Sequence, residues 1–401
     1  MHPTPAPSPR DAVIVGGART PFTRLLSTQA GLSAAQLGTH AIRHALDCAG
    51  VPAEDVDMVV MGQVVQAGAG QNPARQAALA AGVPWSVPAV TVNKVCLSGL
   101  TAVIDAGRMI RLGEAEVVVA GGQESMTGAP HLLPGARRGF TYGPAALQDA
   151  LARDGLTDAL SHESMGELTE SGNAERGITR RDQDEVAAAS HQRAARARAE
   201  GIFDAEIVPV EVPQRRGEPL TVDEDEGVRP EATVQTLAGL RPAFVDGGTI
   251  TAGNASPLSD GAAALVVASR AYADERGLEI LAVLGAPGQT AGPTSTQLHS
   301  QPSDAVRAAL DRQGWAPEDL DLVEINEAFG AVVVQSLRDL GLPLQMCNVH
   351  GGAIALGHPI GASGARLALH AALELQRRGS GRAAVALCGG GGQGEALLLF
   401  R

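Results

Sequence analysis

The sequence has few aromatic residues: two Trp, two Tyr and six Phe among 401 residues. Since 44% of the chain is nevertheless apolar, the core has to be built from Ala, Val, Leu and Ile beside many of the 49 glycines. A chain of this length can bury a large core and is expected to form two or three domains. Its small side chains favour close packing of helices on a sheet.

Cysteine is scarce as well. The four cysteines, Cys48, Cys96, Cys347 and Cys388, have neither the CxxC spacing of a zinc site nor the density of a disulfide scaffold. We therefore expect a reducing, cytoplasmic environment and no metal ion. The first ten residues hold four prolines and no apolar leader segment, and no later stretch approaches the roughly 20 apolar residues of a membrane span. We expect neither a secretion signal nor a membrane anchor.

The chain also lacks a basic surface pattern. Its formal charge is -13, and it contains no run of Lys and Arg interleaved with aromatic residues. Such a chain would repel a polyphosphate backbone, so we do not expect nucleic acid as a partner. An anionic small molecule remains compatible, because one local Arg or a helix N-terminus can hold a phosphate group whatever the net charge.

The sequence contains an internal repeat. Residues 41–60 align without a gap to residues 305–324, with ten of the twenty positions identical. Both copies predict a helix, a loop and then a strand. More weakly, Cys96–Gly99 opens one helical stretch as Gly361–Gly364 opens another, and a strand follows each. The fold class is therefore α/β, built from two duplicated halves.

Between the two halves the chain changes character. Residues 127–258 contain a Gly- and Pro-rich loop around 131–143 and a polar helical pattern near 180–200. We interpret this part as an insertion. Its acidic stretch, Asp223–Glu226, predicts a solvated turn rather than a cation site, whose ligands usually follow a defined loop spacing.

Reactive side chains stand among glycines in three segments. These are NKVCLSG (93–99), GGAIALGHP (351–359) and CGGGG (388–392). Glycines let backbone amides approach a substrate closely, and a cysteine among them indicates acyl transfer. The last segment does not predict a nucleotide-phosphate loop, because it lacks the GK[ST] ending and does not fit GxGxxG.

These motifs and their order resemble the thiolase family over essentially the whole chain, most closely its acetyl-CoA acetyltransferase members. The motifs that carry the resemblance are NKVCLSGL (93–100), GGQESM (121–126), TAGNAS (251–256), NEAF (326–329), GGAIALGHPIGASG (351–364) and CGGGGQG (388–394). The resemblance implies a five-layer αβαβα thiolase fold. Residues 1–126, completed by 259–279, would form the N-terminal half and 280–401 the C-terminal half, while 127–258 would form a loop domain covering coenzyme A. It also implies a homotetramer, with the tetramerisation loop around 131–143.

The resemblance assigns five catalytic positions. Cys96 would be the acylated nucleophile, and its place at a helix start would favour the thiolate. His358 would activate that thiol, and Cys388 would exchange a proton with the substrate carbon. Asn326 would hold a water that joins His358 in one oxyanion hole, and the amides of Cys96 and Gly390 would form the other. Taken alone, a cysteine at either position is more often a buried core residue.

The resemblance also assigns five positions around coenzyme A, which enters as part of the substrates and not as a cofactor. Arg229 would lie beside the adenine and phosphates. Phe244 and Ala252 would contact the pantetheine, and Ser256 would hydrogen-bond to it. Met165 would limit the length of the acyl group.

The chain departs from the family at two positions: Ser164 stands where short-chain members usually carry His, and His350 where Asn is usual. The expected activity, in lipid metabolism, is condensation of two acetyl-CoA to acetoacetyl-CoA and CoA, and the reverse thiolysis. One alternative is a degradative 3-oxoacyl-CoA thiolase for longer chains. Another is a decarboxylating enzyme acting on acyl carrier protein, although that class uses two histidines, or a histidine and an asparagine, beside its cysteine, whereas this chain has Cys388. A third is a protein that only binds acyl-CoA or lipid.

Overall fold

The computed structural model describes residues 6–293 and 295–401. Its strands are β1 Ala12–Arg19, β2 Thr23–Arg24, β3 Met58–Gly62, β4 Ala89–Val92, β5 Val117–Ser125, β6 His131–Leu132, β7 Gln148–Asp149, β8 Val210–Val212, β9 Leu220–Val222, β10 Ser259–Ser269, β11 Ala282–Ala291, β12 Leu322–Ile325, β13 Arg382–Gly389 and β14 Gln393–Phe400. Its α-helices are α1 Ala34–Ala49, α2 Pro73–Ala80, α3 Ser98–Leu112, α4 Met165–Asn173, α5 Arg180–Ala199, α6 Val234–Ala238, α7 Arg270–Arg276, α8 Gln301–Gln313, α9 Gly330–Leu340, α10 Ala353–Leu356 and α11 Ser363–Arg378. In the described ranges, no helix is both long and apolar enough to cross a membrane.

The repeat seen in the sequence forms the same structure twice. α1 ends at Gly50, and a short 3₁₀ turn then leads into β3, while α8 ends at Gly314 and leads through a similar turn into β12. Both glycines adopt the left-handed conformation, with φ of 63° and 72°, which costs other residues a steric penalty. The predicted order of helix, loop and strand is confirmed in both halves.

The principal strands form one sheet in the order β12-β13-β14-β11-β1-β10-β5-β3-β4, with β2 pairing on β10. The halves meet where β1 pairs with β11, over the two residue pairs Val13–Val283 and Ile14–Ala282. On one side of this seam lie the strands of the N-terminal half, and on the other those of the C-terminal half. Each half thus supplies one wing of a sheet that is continuous only through this short contact.

Helices α3 and α11 pack against each other between the two wings and share one apolar cluster with both. Helices α1 and α2 cover the outer face of one wing, and α8 and α9 that of the other. This gives five layers, and the predicted α/β thiolase fold is confirmed. Small residues permit the close crossing of the central helices, since a Cβ on Gly364 would lie 2.4 Å from the Leu100 amide nitrogen.

The segment 127–258 contains two small ribbons, β6–β7 and β8–β9, together with α4, α5 and α6. The predicted polar helix near 180–200 is α5. The prediction of a solvated turn at the acidic stretch is wrong for Asp225, which is buried and accepts two hydrogen bonds from the Arg19 guanidinium, at 2.7 and 2.8 Å. Glu206 binds the Nε of the same arginine at 2.7 Å. These buried ion pairs fasten the segment to the N-terminal half, because an arginine fully removed from water needs such partners.

Candidate active site

Three of the predicted catalytic side chains meet in one apolar cavity of about 310 Å³. Cys96, His358 and Cys388 all line it, although they lie far apart in the chain. Most of the other lining residues belong to the segment 127–258, which includes a π-helical turn at Leu151–Leu156. The rest lie mainly after this segment in the chain. The duplicated halves and the insertion therefore contribute jointly to a single site.

The loop that carries Cys96 is held in a strained turn. Val95 has a φ of +51°, which is unusual for a β-branched residue and costs about 1–3 kcal/mol. Three hydrogen bonds stabilise it: the Val95 amide donates to Asn93 at 3.0 Å, the Lys94 amide donates to the Ser98 hydroxyl at 2.8 Å, and that hydroxyl donates to the Val95 carbonyl at 2.6 Å. The turn projects the Cys96 side chain into the cavity just before α3 begins.

Cys96 is a thiol in the resting protein. Burial raises its pKa to about 12, and the charge of the buried Glu124 acts in the same direction. The backbone amides of Cys96 itself and of Gly390 face the sulfur and oppose this rise. The expectation that the helix start would favour the thiolate is therefore wrong, because desolvation outweighs the amide dipoles. A base is required to generate the nucleophile.

His358, the residue predicted to be that base, lines the same cavity. Its Nδ1 lies 2.6 Å from the Ser363 hydroxyl, which donates its own proton to the Pro359 carbonyl at 2.9 Å. With the hydroxyl proton engaged in this way, we assign the ring proton to Nδ1, which then donates to Ser363 and leaves Nε2 as an acceptor. Burial lowers the His358 pKa to about 3, and the positive charge of Arg366 lowers it further, so the ring is neutral.

Asn326 lies at the Nε2 side of this ring, with its Nδ2 at 3.3 Å. It follows β12 directly and does not cap a helix, because α9 begins later, at Gly330, with Phe329 as its N-cap. Its Oδ1 is buried without a hydrogen-bond partner among the described residues. Such an acceptor beside a histidine suits a bound water, as the family resemblance implies.

Cys388 stands near the end of β13, in register with Gly394 of β14. The hairpin between the two strands turns through Gly391 and Gly392, which have φ of 77° and 66°. The glycine run therefore forms the turn between the two strands. Burial raises the pKa of the Cys388 thiol, and the neighbouring Cys96 adds to the rise. Both cysteines are therefore protonated and close enough to interact electrostatically.

The predicted coenzyme A contacts fall into two groups. Met165, Phe244 and Ser256 line the cavity. Ala252 and Arg229 are exposed and lie outside it, and the Arg229 amide donates to His191. The structure thus brings three of the five together at the catalytic cysteines, and the roles of all five stay predictions.

The two departures from the family pattern have local explanations. Ser164 lines the cavity and caps α4: its hydroxyl accepts from the Glu167 amide at 3.2 Å, and the Glu167 carboxylate accepts from the Ser164 amide at 2.8 Å. His350 Nδ1 lies 3.1 Å from Nε2 of His370, whose Nδ1 binds Glu206 at 2.8 Å. The His at 350 therefore extends the buried network that fastens the inserted segment.

Sequence reasoning missed two residues that position the site. Ser363 fixes the tautomer of His358, and its alignment with Ser98 in the repeat was a usable signal. Glu124 is fully buried and accepts hydrogen bonds from the amides of Val64, Val65 and Gly361, and burial raises its pKa to about 8. A carboxylate inside the apolar strand β5 was the signal that could have identified it.

Comparison with known proteins identifies the family. The family model described as "Thiolase, N-terminal domain" matches residues 12–271, and "Thiolase, C-terminal domain" matches residues 278–401. The chain is 57% identical to the probable acetyl-CoA acetyltransferase of Mycolicibacterium smegmatis, over 97% of this chain and all of that protein. It is 49% identical to the acetyl-CoA acetyltransferase of Cupriavidus necator, over 98% and 99% of the two chains.

A solved structure is similar as well. The crystal structure of the acetyl-CoA acetyltransferase of Bacillus anthracis superimposes with a TM-score of 0.94 at 38% identity, covering 97% of this chain and 98% of that one. The similarity therefore extends over nearly the whole of both chains.

Proposed function

The chain belongs to the thiolase family, and from this membership we infer that it is an acetyl-CoA C-acetyltransferase. This acyltransferase condenses two molecules of acetyl-CoA to acetoacetyl-CoA and CoA, and also catalyses the reverse thiolysis. Relatives that carry this name cover nearly the whole chain. The observation that carries the assignment is the convergence of two thiols and a neutral histidine on one apolar cavity.

In the thiolysis direction the reaction begins from neutral groups. His358 takes the proton of Cys96, and the sulfur attacks the 3-oxo carbon of acetoacetyl-CoA. The bond between C2 and C3 then breaks, and Cys388 donates its proton to C2 of the departing acetyl-CoA. The raised pKa of Cys388 suits this step, because the group has to carry a proton when the carbanion forms. The products are acetyl-Cys96, a protonated His358 and a Cys388 thiolate.

The second step restores the starting state. The Cys388 thiolate takes the proton of an incoming CoA thiol, whose sulfur attacks the carbonyl carbon of acetyl-Cys96. The Cys96 sulfur leaves and recovers its proton from His358. Run backwards, the same groups abstract the methyl proton of acetyl-CoA and form the new carbon–carbon bond. The scheme uses protein groups and the coenzyme A of the substrates, and needs no further cofactor.

Negative charge develops on two oxygens, and the site offers a separate set of donors for each. The amides of Cys96 and Gly390, which both face the Cys96 sulfur, would stabilise the oxyanion of the acylated cysteine. His358 and a water held by Asn326 would stabilise the enolate oxygen of acetyl-CoA.

The catalytic assignment is tested by trapping the acyl-enzyme. We expect radiolabel from acetyl-CoA to be incorporated into the wild-type protein and lost in Cys96→Ala. Cys388→Ser should still be acylated but should neither condense nor cleave carbon–carbon bonds. Cys48→Ala, which removes an exposed cysteine outside the cavity, is the matched control and should behave as wild type. Labelling that persists in Cys96→Ala would contradict the proposal.

The substrate is tested by comparing thiolysis of acetoacetyl-CoA with that of 3-oxoacyl-CoA substrates of six to ten carbons. We expect acetoacetyl-CoA to have the highest kcat/KM, since Met165 remains in the cavity wall and the Ser164 hydroxyl is committed to the helix cap. A preference for longer chains would instead identify a degradative enzyme.

We further propose that the protein is a cytoplasmic homotetramer. Large apolar side chains are exposed along the loop predicted to form the tetramer contact, and Tyr142 is completely exposed, with Phe140 half exposed. Burying such side chains against other copies would be favourable. Sedimentation should give a tetramer for the wild type and smaller species for the double variant Phe140→Ser, Tyr142→Ser. A monomeric wild type would contradict this part of the proposal.

A further inference from the structure

Glu395 is a fully buried carboxylate in β14 that bonds to parts of both halves. Its Oε1 accepts from the Lys94 ammonium at 2.9 Å and also from the Gln289 amide. Its Oε2 accepts from the Thr101 hydroxyl at 2.5 Å. Lys94 and Thr101 belong to the N-terminal half, whereas Glu395 and Gln289 belong to the C-terminal half. One side chain therefore links the two halves in the interior.

The elements that Glu395 links are the ones that carry the two cysteines. Lys94 lies two residues before Cys96, in the strained turn, and Thr101 lies in the first turn of α3. On the other side, Glu395 pairs with Leu387 in the register of β13 and β14, and the next pair along the ladder is Cys388 with Gly394. The carboxylate thus spans from the strand of one catalytic thiol to the loop of the other.

The charge partner of Glu395 is unusual in this sequence. Lys94 is the only lysine of the chain, and the other residues in its count of 31 lysines and arginines are all arginines. Its side chain is 23% exposed, whereas that of Glu395 is completely buried. A compact ammonium can share one carboxylate oxygen of Glu395 with the Gln289 amide. A planar guanidinium would favour binding both oxygens at once, but the second oxygen already accepts from Thr101. The site therefore suits lysine better than arginine.

We propose that Glu395, through its ion pair with Lys94, is a positioning residue that holds the Cys96 loop at the correct separation from Cys388. It does not touch the reacting atoms and acts through the two elements it joins. This inference rests on the proposed function, because it concerns the step in which both thiols act on one substrate. Cleavage of the carbon–carbon bond needs Cys388 to deliver a proton to carbon while Cys96 attacks the neighbouring carbon. Exchange of CoA with acetyl-CoA moves protons only between sulfur and nitrogen atoms, so it depends less on the separation of the two cysteines.

The test compares these two reactions in Glu395→Gln, which keeps the size of the side chain and its place between Thr101 and Gln289. We expect kcat for thiolysis of acetoacetyl-CoA to fall about ten- to a hundredfold, since small misplacements of reacting groups have effects of this size. KM for acetoacetyl-CoA and the rate of CoA exchange should change by less than about threefold. Lys94→Met should reproduce this split, and the double variant should be no worse than the more impaired single variant.

Arg382→Met is the matched control. It removes a mostly buried cation, with 11% side-chain exposure, that pairs with Asp319 at the far end of the strand that carries Cys388. Its melting temperature should fall as much as that of Lys94→Met, but both reaction rates should stay at the wild-type level. If Glu395→Gln slows exchange and cleavage equally, or if neither changes, the positioning role is excluded. A wild type that catalyses neither reaction would instead contradict the proposed function.

The single lysine also permits a direct measurement of the pair. Protein prepared with ¹³C- and ¹⁵N-labelled lysine should give one side-chain ammonium signal, protected from solvent exchange by its bond to Glu395. We expect this protection to be lost in Glu395→Gln and retained in Arg382→Met. An unprotected ammonium in the wild type would show that the pair does not hold the loop and would overturn the proposal.

Discussion

The two central helices begin in the same way but support different chemistry. Ser98 opens α3 and Ser363 opens α11, at matching positions of the repeat. Each hydroxyl donates to a backbone carbonyl of the preceding loop, that of Val95 in one half and that of Pro359 in the other. Each also accepts a hydrogen bond from that loop. In the N-terminal half the donor is the Lys94 amide, and in the C-terminal half it is the ring of His358.

In the proposed mechanism, one duplicated scaffold thus supplies both the nucleophile and its base. In both halves the serine fixes the loop that precedes a buried helix, so each loop has one defined conformation. The chemical role of each loop then depends on the side chain that it places in the cavity. The loop of the N-terminal half places the Cys96 thiol there, and in the C-terminal half Ser363 orients the His358 imidazole directly. Four predictions test this division, in decreasing order of expected effect.

Removing the proposed base from the C-terminal half should have the largest effect on the acylation rate. His358→Ala leaves the Cys96 turn intact but removes the group proposed to accept the thiol proton, and the thiol has a pKa of about 12. We expect the acylation rate, measured by rapid quench with labelled acetyl-CoA, to fall about 10²- to 10⁴-fold, the usual contribution of a general base. Imidazole added to the solution should restore part of the rate, because the variant leaves a cavity of the size of the ring. An acylation rate within about tenfold of wild type would contradict the assignment of the base.

The serine pair gives the next largest effect. Ser363→Ala frees the ring of His358 to change tautomer, so acylation should slow about tenfold, equivalent to about 1.4 kcal/mol from one lost hydrogen bond. Ser98→Ala removes the matching bond from the Cys96 turn and should lower stability by a similar amount. Ser363→Thr keeps the hydroxyl and should restore the acylation rate that Ser363→Ala loses. Ser98→Ala leaves the tautomer of His358 unaffected, so threonine at position 98 should have no such loss of acylation to restore. Equal rescue by threonine at both positions would remove the proposed difference between the halves.

The pH dependence of acylation should be shallow. The Cys96 pKa is raised to about 12 and the His358 pKa is lowered to about 3, so neither group changes its protonation state between these values. The reactive pair is the neutral thiol with the neutral imidazole across that whole interval. We expect the single-turnover acylation rate to change by less than about twofold between pH 6 and pH 8.5. A rate that rises tenfold per pH unit would show instead that the thiolate forms before the substrate binds.

Much of this comparison between the two halves was predictable from the sequence. The features that were not predictable depend on contacts between residues that are distant in the chain. The repeat and the glycine-flanked cysteines and histidine predicted two α/β halves and the three side chains that meet in the cavity. The protonation state of Cys96 was not predictable, because it depends on burial by residues that are distant in sequence. The same holds for the bond between Lys94 and Glu395, which joins positions 301 residues apart. Only the packed structure brings a carboxylate in β14 into contact with a loop of the other half.

The smallest effect is expected beside the middle of α11, about two turns beyond Ser363. His350 accepts a hydrogen bond from His370, and burial lowers the His350 pKa to about 4. Since the folded protein binds this proton less readily than the unfolded chain, whose histidines have a pKa of about 6.5, His350 reduces stability as the pH falls from about 6.5 towards 4. The partner His370 has a raised pKa, so its contribution is present below pH 6.5 and is lost as the pH rises through its folded value.

His350→Asn should therefore leave kcat unchanged and flatten only the acidic limb of the stability curve. An asparagine can accept the same hydrogen bond from His370 but has no proton to gain in acid. Urea unfolding at pH 7.5 should give free energies of unfolding within about 0.5 kcal/mol of wild type, whereas near pH 5 the variant should be the more stable protein. If the two proteins lose stability in parallel on acidification, His350 takes up its proton in the folded protein as readily as in the unfolded chain. Its ring would then face His370 as a second cation, which the neighbouring Glu374, 3.8 Å away, would have to offset.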